Sequence, residues 1–206
     1  MTIQPKFAKT HLLFPSAADS TAPVIVDLFV DYCCPFSAKL FIKWHDEVLP
    51  ALKDKHKGRF QIIFRHVVQP WHPTSTLMHE VALAVAQVAP EKFTEFSYGM
   101  FKEAPTWFDG PTYDKTRKQI YQELCEFAAK TTGLDISSKL YDIVSIKSDT
   151  GNTGNGVTVD VKYFTRYHRT VGVHMTPTIA VGGIVASNIE SSTSPEDVIT
   201  ILEKSL

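Results

Sequence analysis

Apolar residues recur along this chain with two different periods, and each change of period marks a new element. Val24, Ile25, Val26, Leu28, Phe29 and Val30 are large and apolar or β-branched, which predicts a buried strand over Pro23 to Val30. From Cys34 the period becomes helical: Leu40, Phe41, Trp44 and Val48 fall on one face, and Pro50 predicts a kink or an end. Gly58 is a helix stop, and Arg59 to Val68 predicts a second strand. A strand, a helix and a strand in succession make a βαβ unit with parallel strands and a right-handed crossover. Upstream, Ile3–Phe7 and His11–Phe14 predict short strands or an edge hairpin, and Pro15 to Ala22 a loop.

Helical periods then hold for a long stretch. Thr74 or Ser75 is placed to cap a helix carrying Leu77, Val81, Ala84, Val85 and Val88. Pro90 opens another through Phe93, Phe96 and Phe101, and Ala104 to Pro111 predicts a loop. Tyr113–Thr132 is the longest predicted helix, stopped by Gly133, and Ile136–Ile146 a shorter one. Asp149 to Gly156 reads as a mobile tip, and Val157–Val171 as helix. After Gly172 the pattern turns extended. Gly182-Gly183 is a two-residue hairpin signal between Ile179–Val181 and Ile184–Ala186. Ser194 as cap, Pro195 at the first helical position and Asp197 two residues later start a final helix. The expected organisation is α/β: residues 1–73 and 172–206 form one domain, interrupted by an α-helical insertion over 74–171.

Composition narrows the functional classes. A net charge of −1 over 206 residues gives no electrostatic case for nucleic acid or an anionic membrane. No apolar run reaches the ~18 residues of a membrane span, and the N-terminus lacks the apolar core of a secretory signal. Three cysteines do not make a disulfide framework, so a reducing, cytoplasmic setting is expected.

The candidate chemistry follows from the first change of period. Cys34 falls at the C-terminal end of the strand and at the start of the helix, with Pro35 suited to the first turn. Unpaired N–H groups and the positive end of the helix dipole favour an anion there. Such placement can lower a cysteine pKa from about 8.5 to roughly 3.5–7.5 and make it a nucleophile. Cys33 and Cys125 are expected to be structural, Cys33 because a disulfide between chain neighbours closes a strained ring. The parallel strands bring Cys34, the segment His66 to His72 with Trp71, and Thr176-Pro177 to one rim, which the insertion walls. His174, three residues before Pro177, is placed to face Cys34 as a protonated partner or to be a satisfied rim histidine. The histidines lack the spacing of a zinc site.

Two motifs carry a resemblance. Cys34-Pro35-Phe36-Ser37 resembles the Cys-Pro-x-Cys motif of the thioredoxin fold, and Val173 to Gly183, VHMTPTIAVGG, resembles its Thr-Pro segment before a hairpin. The long helical insertion is similar to that of the DsbA-like branch. The resemblance covers Thr21 to the C-terminus and implies a cis Thr176–Pro177 bond. It also implies thiol–disulfide oxidoreductase activity on a small thiol or disulfide, or on protein thiols. Pro35, Phe36, Trp71, His174, Thr176 and Pro177 are the implied substrate-binding residues. Ser37 stands where the family has its second cysteine. The implied chemistry is therefore monothiol: Cys34 forms a mixed disulfide, Ser37 donates to its thiolate, and an outside thiol resolves it. Glutathione is the implied co-substrate, with no bound cofactor. The segment Asp31 to Ser37 also resembles the Asp-x-x-Ser-Pro motif of kappa-class glutathione transferases, with Cys34 in place of their serine. A glutathione-dependent transferase or isomerase, and a binding module without redox turnover, are the alternative readings.

Overall fold

β-Branched and aromatic residues occupy the middle of a five-stranded sheet. In a computed structural model the described residues are 3–14, 23–147 and 151–206; the loop expected over 15–22 and Asp149 lie outside them. In chain order the elements are a 3₁₀ turn Pro5–Phe7, α1 (Ala8–His11), β1 (Leu12–Phe14), β2 (Val24–Val30), α2 (Pro35–Lys43), a π turn Trp44–Val48, α3 (Leu49–Lys55) and β3 (Phe60–His66). Then follow α4 (Ser75–Val88), α5 (Phe93–Glu103), α6 (Asp109–Thr112), α7 (Arg117–Thr132), α8 (Ser137–Val144) and α9 (Thr158–Thr170). The chain returns to the sheet as β4 (Thr178–Val181) and β5 (Ile184–Val185) and ends in α10 (Pro195–Glu203). The strand order is β1-β3-β2-β4-β5. β2 and β3 are parallel, with Val24 opposite Phe60 and Val30 opposite His66. β4 runs antiparallel to β2.

Several boundaries differ from the sequence expectation. Ile3 to Phe7 is not a strand. Pro5 opens a 3₁₀ turn, and Phe7 and His11 meet one helical turn apart with ring centroids 5.1 Å apart. Pro50 does not end its helix. The Leu49 N–H reaches back to the Trp44 carbonyl in the π turn, so the ladder has already shifted where the proline lacks a donor. Ala104 to Pro111 is not a plain loop but a 3₁₀ turn followed by α6. The long helix starts at Arg117 because Thr116 and Gln119 form a reciprocal capping box. Thr74 sits at the start of α4, but its hydroxyl donates to the Trp107 carbonyl rather than capping. The expected cap of α10 is present: Ser194 accepts from the Asp197 N–H.

The insertion and the sheet share a core. Val30, Ile63 and Phe64 pack in one cluster with Met78, Val81, Phe93, Phe96 and Leu124. A second cluster joins Val26, Leu28 and Ile62 to Leu40 and Trp44 of the α2 segment and to Val198 and Leu202 of α10. Within this apolar frame β2 and β3 bury an ion pair, Asp27 with Arg65 at 2.7 Å, and the guanidinium lies 4.3 Å from the Tyr167 ring centre.

Candidate functional site

The parallel pairing delivers the ends of β2 and β3 to one rim. Cys34 is the N-cap of α2 in extended conformation, and Pro35 takes the first helical position. The Cys34 N–H donates to the Asp31 carbonyl at 3.0 Å, which closes a tight turn under the two cysteines. The Cys34 thiol donates to the Thr176 carbonyl at 3.4 Å, and the Thr176–Pro177 peptide bond is cis. Gln69, just past β3, ties the third segment in: its side chain donates to the His174 carbonyl at 3.1 Å and to the Thr176 hydroxyl at 3.4 Å. Cys34 is buried, yet Phe36, Trp71 and Met175, one on each of the three segments, stand exposed around it.

The three thiols differ in surroundings. Burial pushes the Cys33 thiol up to about 11, and the Cys125 thiol up to about 12. Cys33 Sγ lies 3.4 Å from the Thr74 hydroxyl, and Cys125 is fully enclosed on α7. All three cysteines are free. Ser37 is fully buried, and its hydroxyl accepts from the Asp31 N–H at 3.2 Å, a contact the spacing of the motif does not disclose. The exposed His174 gives its ring nitrogen Nδ1 to the Gly172 carbonyl at 3.0 Å, so its backbone, through Gln69, is what joins the site. Trp107 is buried against Phe127.

Asp31 is the residue sequence reasoning passed over. Its carboxylate is wholly buried and accepts on both oxygens. Oδ1 accepts from the Ser75 hydroxyl at 2.7 Å and the Cys33 N–H at 3.0 Å, and lies 3.3 Å from His79 Nε2. Oδ2 accepts from His72 Nδ1 at 2.8 Å and from the Gln69 N–H at 3.3 Å. Burial alone would raise its pKa, but hydrogen bonds from His79, Ser75 and His72, with the charge of His79, hold it below the usual carboxylate range. A fixed anion therefore lies beneath the cysteine turn and fixes the orientation of His72, whose ring is partly open to solvent. A cleft of about 760 Å³ opens between the insertion helices beside Thr74, with Leu77, Tyr113 and Arg117 on its walls. Among the described residues no group of three or more His, Cys, Asp or Glu is placed to hold a metal ion. No helix among them is long and apolar enough to cross a membrane.

A family model described as thioredoxin matches residues 17–204. The chain belongs to the thioredoxin family. Solved structures agree on the architecture. A candidate protein-disulfide isomerase from Pseudomonas syringae superposes with a TM-score of 0.69 at 21% identity, over 90% of this chain and 98% of that one. BdbD from Bacillus subtilis does so with a TM-score of 0.62 at 21% identity, over 96% and 93%. MdbA from Corynebacterium diphtheriae, a thiol-disulfide oxidoreductase, gives 0.60 at 17% identity, over 93% and 87%. At these identities the likeness is one of fold: a thioredoxin sheet with a helical insertion. No curated protein sequence matches the chain.

Proposed function

We propose that this thioredoxin-family protein is a thiol–disulfide oxidoreductase that works through Cys34 alone, with an outside thiol such as glutathione completing each cycle. The observation that carries this reading is the position of one thiol. Cys34 sits at the N-terminus of α2 against the Thr176 carbonyl, whereas burial holds Cys33 and Cys125 in their neutral forms. The Cys34 thiolate attacks one sulfur of a disulfide, forms a mixed disulfide and releases the other sulfur as a thiolate. Ser37, one turn along α2, has no sulfur with which to displace the bound partner. A glutathione thiolate then attacks the mixed disulfide and leaves with the substrate sulfur, and Cys34 returns as thiolate.

Phe36, Trp71 and Met175 offer an apolar surface for the substrate, and the Thr176 segment offers a main-chain edge. A small disulfide or a cysteine-containing peptide suits that surface. The proposed need for glutathione favours a reducing compartment such as the cytoplasm, and the three free cysteines are compatible with one. Incubation with oxidised glutathione followed by intact mass and peptide mapping tests the reading. One glutathionyl group on Cys34, removed by reduced glutathione, is the expected result. An unmodified protein, or a group on Cys33 or Cys125, overturns it.

A further inference from the structure

We propose that His79, His66, His11 and Thr10 form a proton path from the Asp31 carboxylate beneath the cysteine turn to a cleft on another part of the surface. The chain of contacts is continuous. His79 Nε2 lies 3.3 Å from Asp31 Oδ1, and His79 Nδ1 lies 2.6 Å from His66 Nδ1. His66 Nε2 lies 2.8 Å from His11 Nε2, and His11 Nδ1 lies 2.6 Å from the Thr10 hydroxyl. All three rings are buried, and His11 stacks between Phe93 and Phe164. Thr10 lines a cleft of about 540 Å³ with Lys6, Gln87 and Asp160, where Lys6 pairs with Asp160. The rim cysteines and this cleft are thus joined through side chains that solvent does not reach between them.

Each imidazole contact places nitrogen against nitrogen, so one must donate and the other accept, and the choice at one ring dictates the next. With His79 donating from Nε2 to Asp31, its Nδ1 accepts from His66 Nδ1–H, His66 Nε2 accepts from His11 Nε2–H, and His11 Nδ1 accepts from the Thr10 hydroxyl. The run in the other direction, with His11 Nδ1–H donating to the Thr10 hydroxyl at 2.6 Å and Thr10 donating to the Phe7 carbonyl at 3.1 Å, is the arrangement after one proton has entered. A proton arriving from water at Thr10 then moves every hydrogen one step inward. Thr10 passes its proton to His11 Nδ1 and takes the new one; His11 passes its Nε2 proton to His66; His66 passes its Nδ1 proton to His79. One proton has entered, no heavy atom has moved, and the charge rests on His79 against Asp31. Burial holds His11 and His66 well below the ordinary histidine value, which keeps the charge off the middle of the path.

The use of the path rests on the role of Cys34 proposed above. When glutathione thiolate releases Cys34 as a thiolate, negative charge is added near Asp31, and a proton drawn in at Thr10 onto His79 offsets it. When Cys34 re-enters a mixed disulfide, the proton leaves by the same steps. Other charged groups face the path. His72 shares Asp31, Arg65 on β3 acts on His11, and His168 on α9 feels His79. Tyr32 packs its ring on His79 at 4.7 Å, and its backbone nitrogen lies 3.4 Å from His79 Nε2.

Nitrogen-15 NMR of the histidine rings in the full-length protein tests the path. With Cys34 capped by iodoacetamide, the expected tautomers are Nε2–H on His79, Nδ1–H on His66 and Nε2–H on His11. Thr10→Val should slow exchange of the His66 and His79 ring protons with water by about tenfold or more, and Thr10→Ser should restore it. General loss of stability speeds exchange, so it cannot imitate that slowing. Tautomers that do not run in one direction, or exchange unchanged in Thr10→Val, overturn the path. The tautomers and exchange rates do not depend on Cys34 chemistry. A directed chain in a protein that takes no glutathione adduct leaves the path and removes its proposed use; an adduct without the chain does the reverse.

Discussion

Cys33 and Cys34 are neighbours in the chain with opposite surroundings. The turn through Asp31 directs Cys34 to the helix end and the Thr176 carbonyl, and directs Cys33 into the core beside Thr74. A helix N-terminus favours a thiolate, and an apolar enclosure opposes one. Near neutral pH, iodoacetamide should therefore consume one thiol quickly, and Cys34→Ser should remove that fast phase while the other two react only slowly. A fast phase that survives in Cys34→Ser would place the reactive thiol elsewhere. Ser37 bears on turnover rather than on attack. Ser37→Cys supplies a second sulfur one helical turn from Cys34. It also replaces a good acceptor for the Asp31 N–H with a weak one, at a cost of about 1 kcal/mol. The variant should gain insulin reductase activity with a dithiol reductant and without glutathione, which the proposed monothiol cycle requires of the unaltered protein. Equal, negligible turnover in both proteins, with and without glutathione, would sink the redox proposal.

Elements here are set by their ends as much as by their apolar faces. Helix α7 begins where Thr116 and Gln119 satisfy each other's backbone N–H groups, and it stops at Gly133, whose φ of 68° suits a residue without a Cβ. Its buried face, Ile120, Leu124, Cys125 and Ala128, packs into the core shared with the sheet, so fraying at Thr116 loosens the wall of the cleft beside Thr74. Thr116→Ala should lower stability to urea by about 1 kcal/mol, with the denaturant slope unchanged. No measurable change would mean that core contacts alone set this end of α7. The π turn before Pro50 is the counterpart on the sheet side. It lets one continuous rod run past a proline and present Leu40, Trp44, Val48 and Leu52 to the second core.

Across the whole molecule, what the sequence disclosed was local. The βαβ unit, the Gly182-Gly183 hairpin and the Ser194 cap are written in adjacent residues, so their periods and turn chemistry could be read directly. The hub at Asp31 could not be. Its partners Gln69, His72, Ser75 and His79 lie 38, 41, 44 and 48 positions away, and only the parallel pairing of β2 with β3 brings them together. The N-terminal segment misled for a related reason. Its alternation of apolar residues resembles a strand, but burial of Phe7 and His11 against α9 and β3 overrides that local preference. Asp27 and Arg65, polar residues inside two central strands, have no local signal at all, because each is tolerated through pairing with the other across the two strands.

The same buried histidines set how the molecule responds to acid. His11, His66 and His168 have values lowered first of all by burial, so each takes up a proton on unfolding once pH falls below about 6.5. The unfolded chain then binds more protons than the folded one, and stability falls as pH falls, by up to about 1.4 kcal/mol per pH unit for each histidine. Asp31, held low, adds loss in the same direction, but only below about pH 4. Asp27 and Glu80 have values raised first by burial; their folded forms bind protons more readily, which opposes the loss as pH enters their range. Between neutral pH and about pH 5 the histidines should dominate, and urea midpoints should fall steadily across that window. His11→Phe fits an aromatic box already made by Phe7, Phe64, Phe93 and Phe164. It removes one of the three protons taken up, so its stability should depend on pH less steeply by about 1.4 kcal/mol per unit, whatever its stability at neutral pH. A slope equal to that of the unaltered protein would show that His11 is not held neutral by its enclosure.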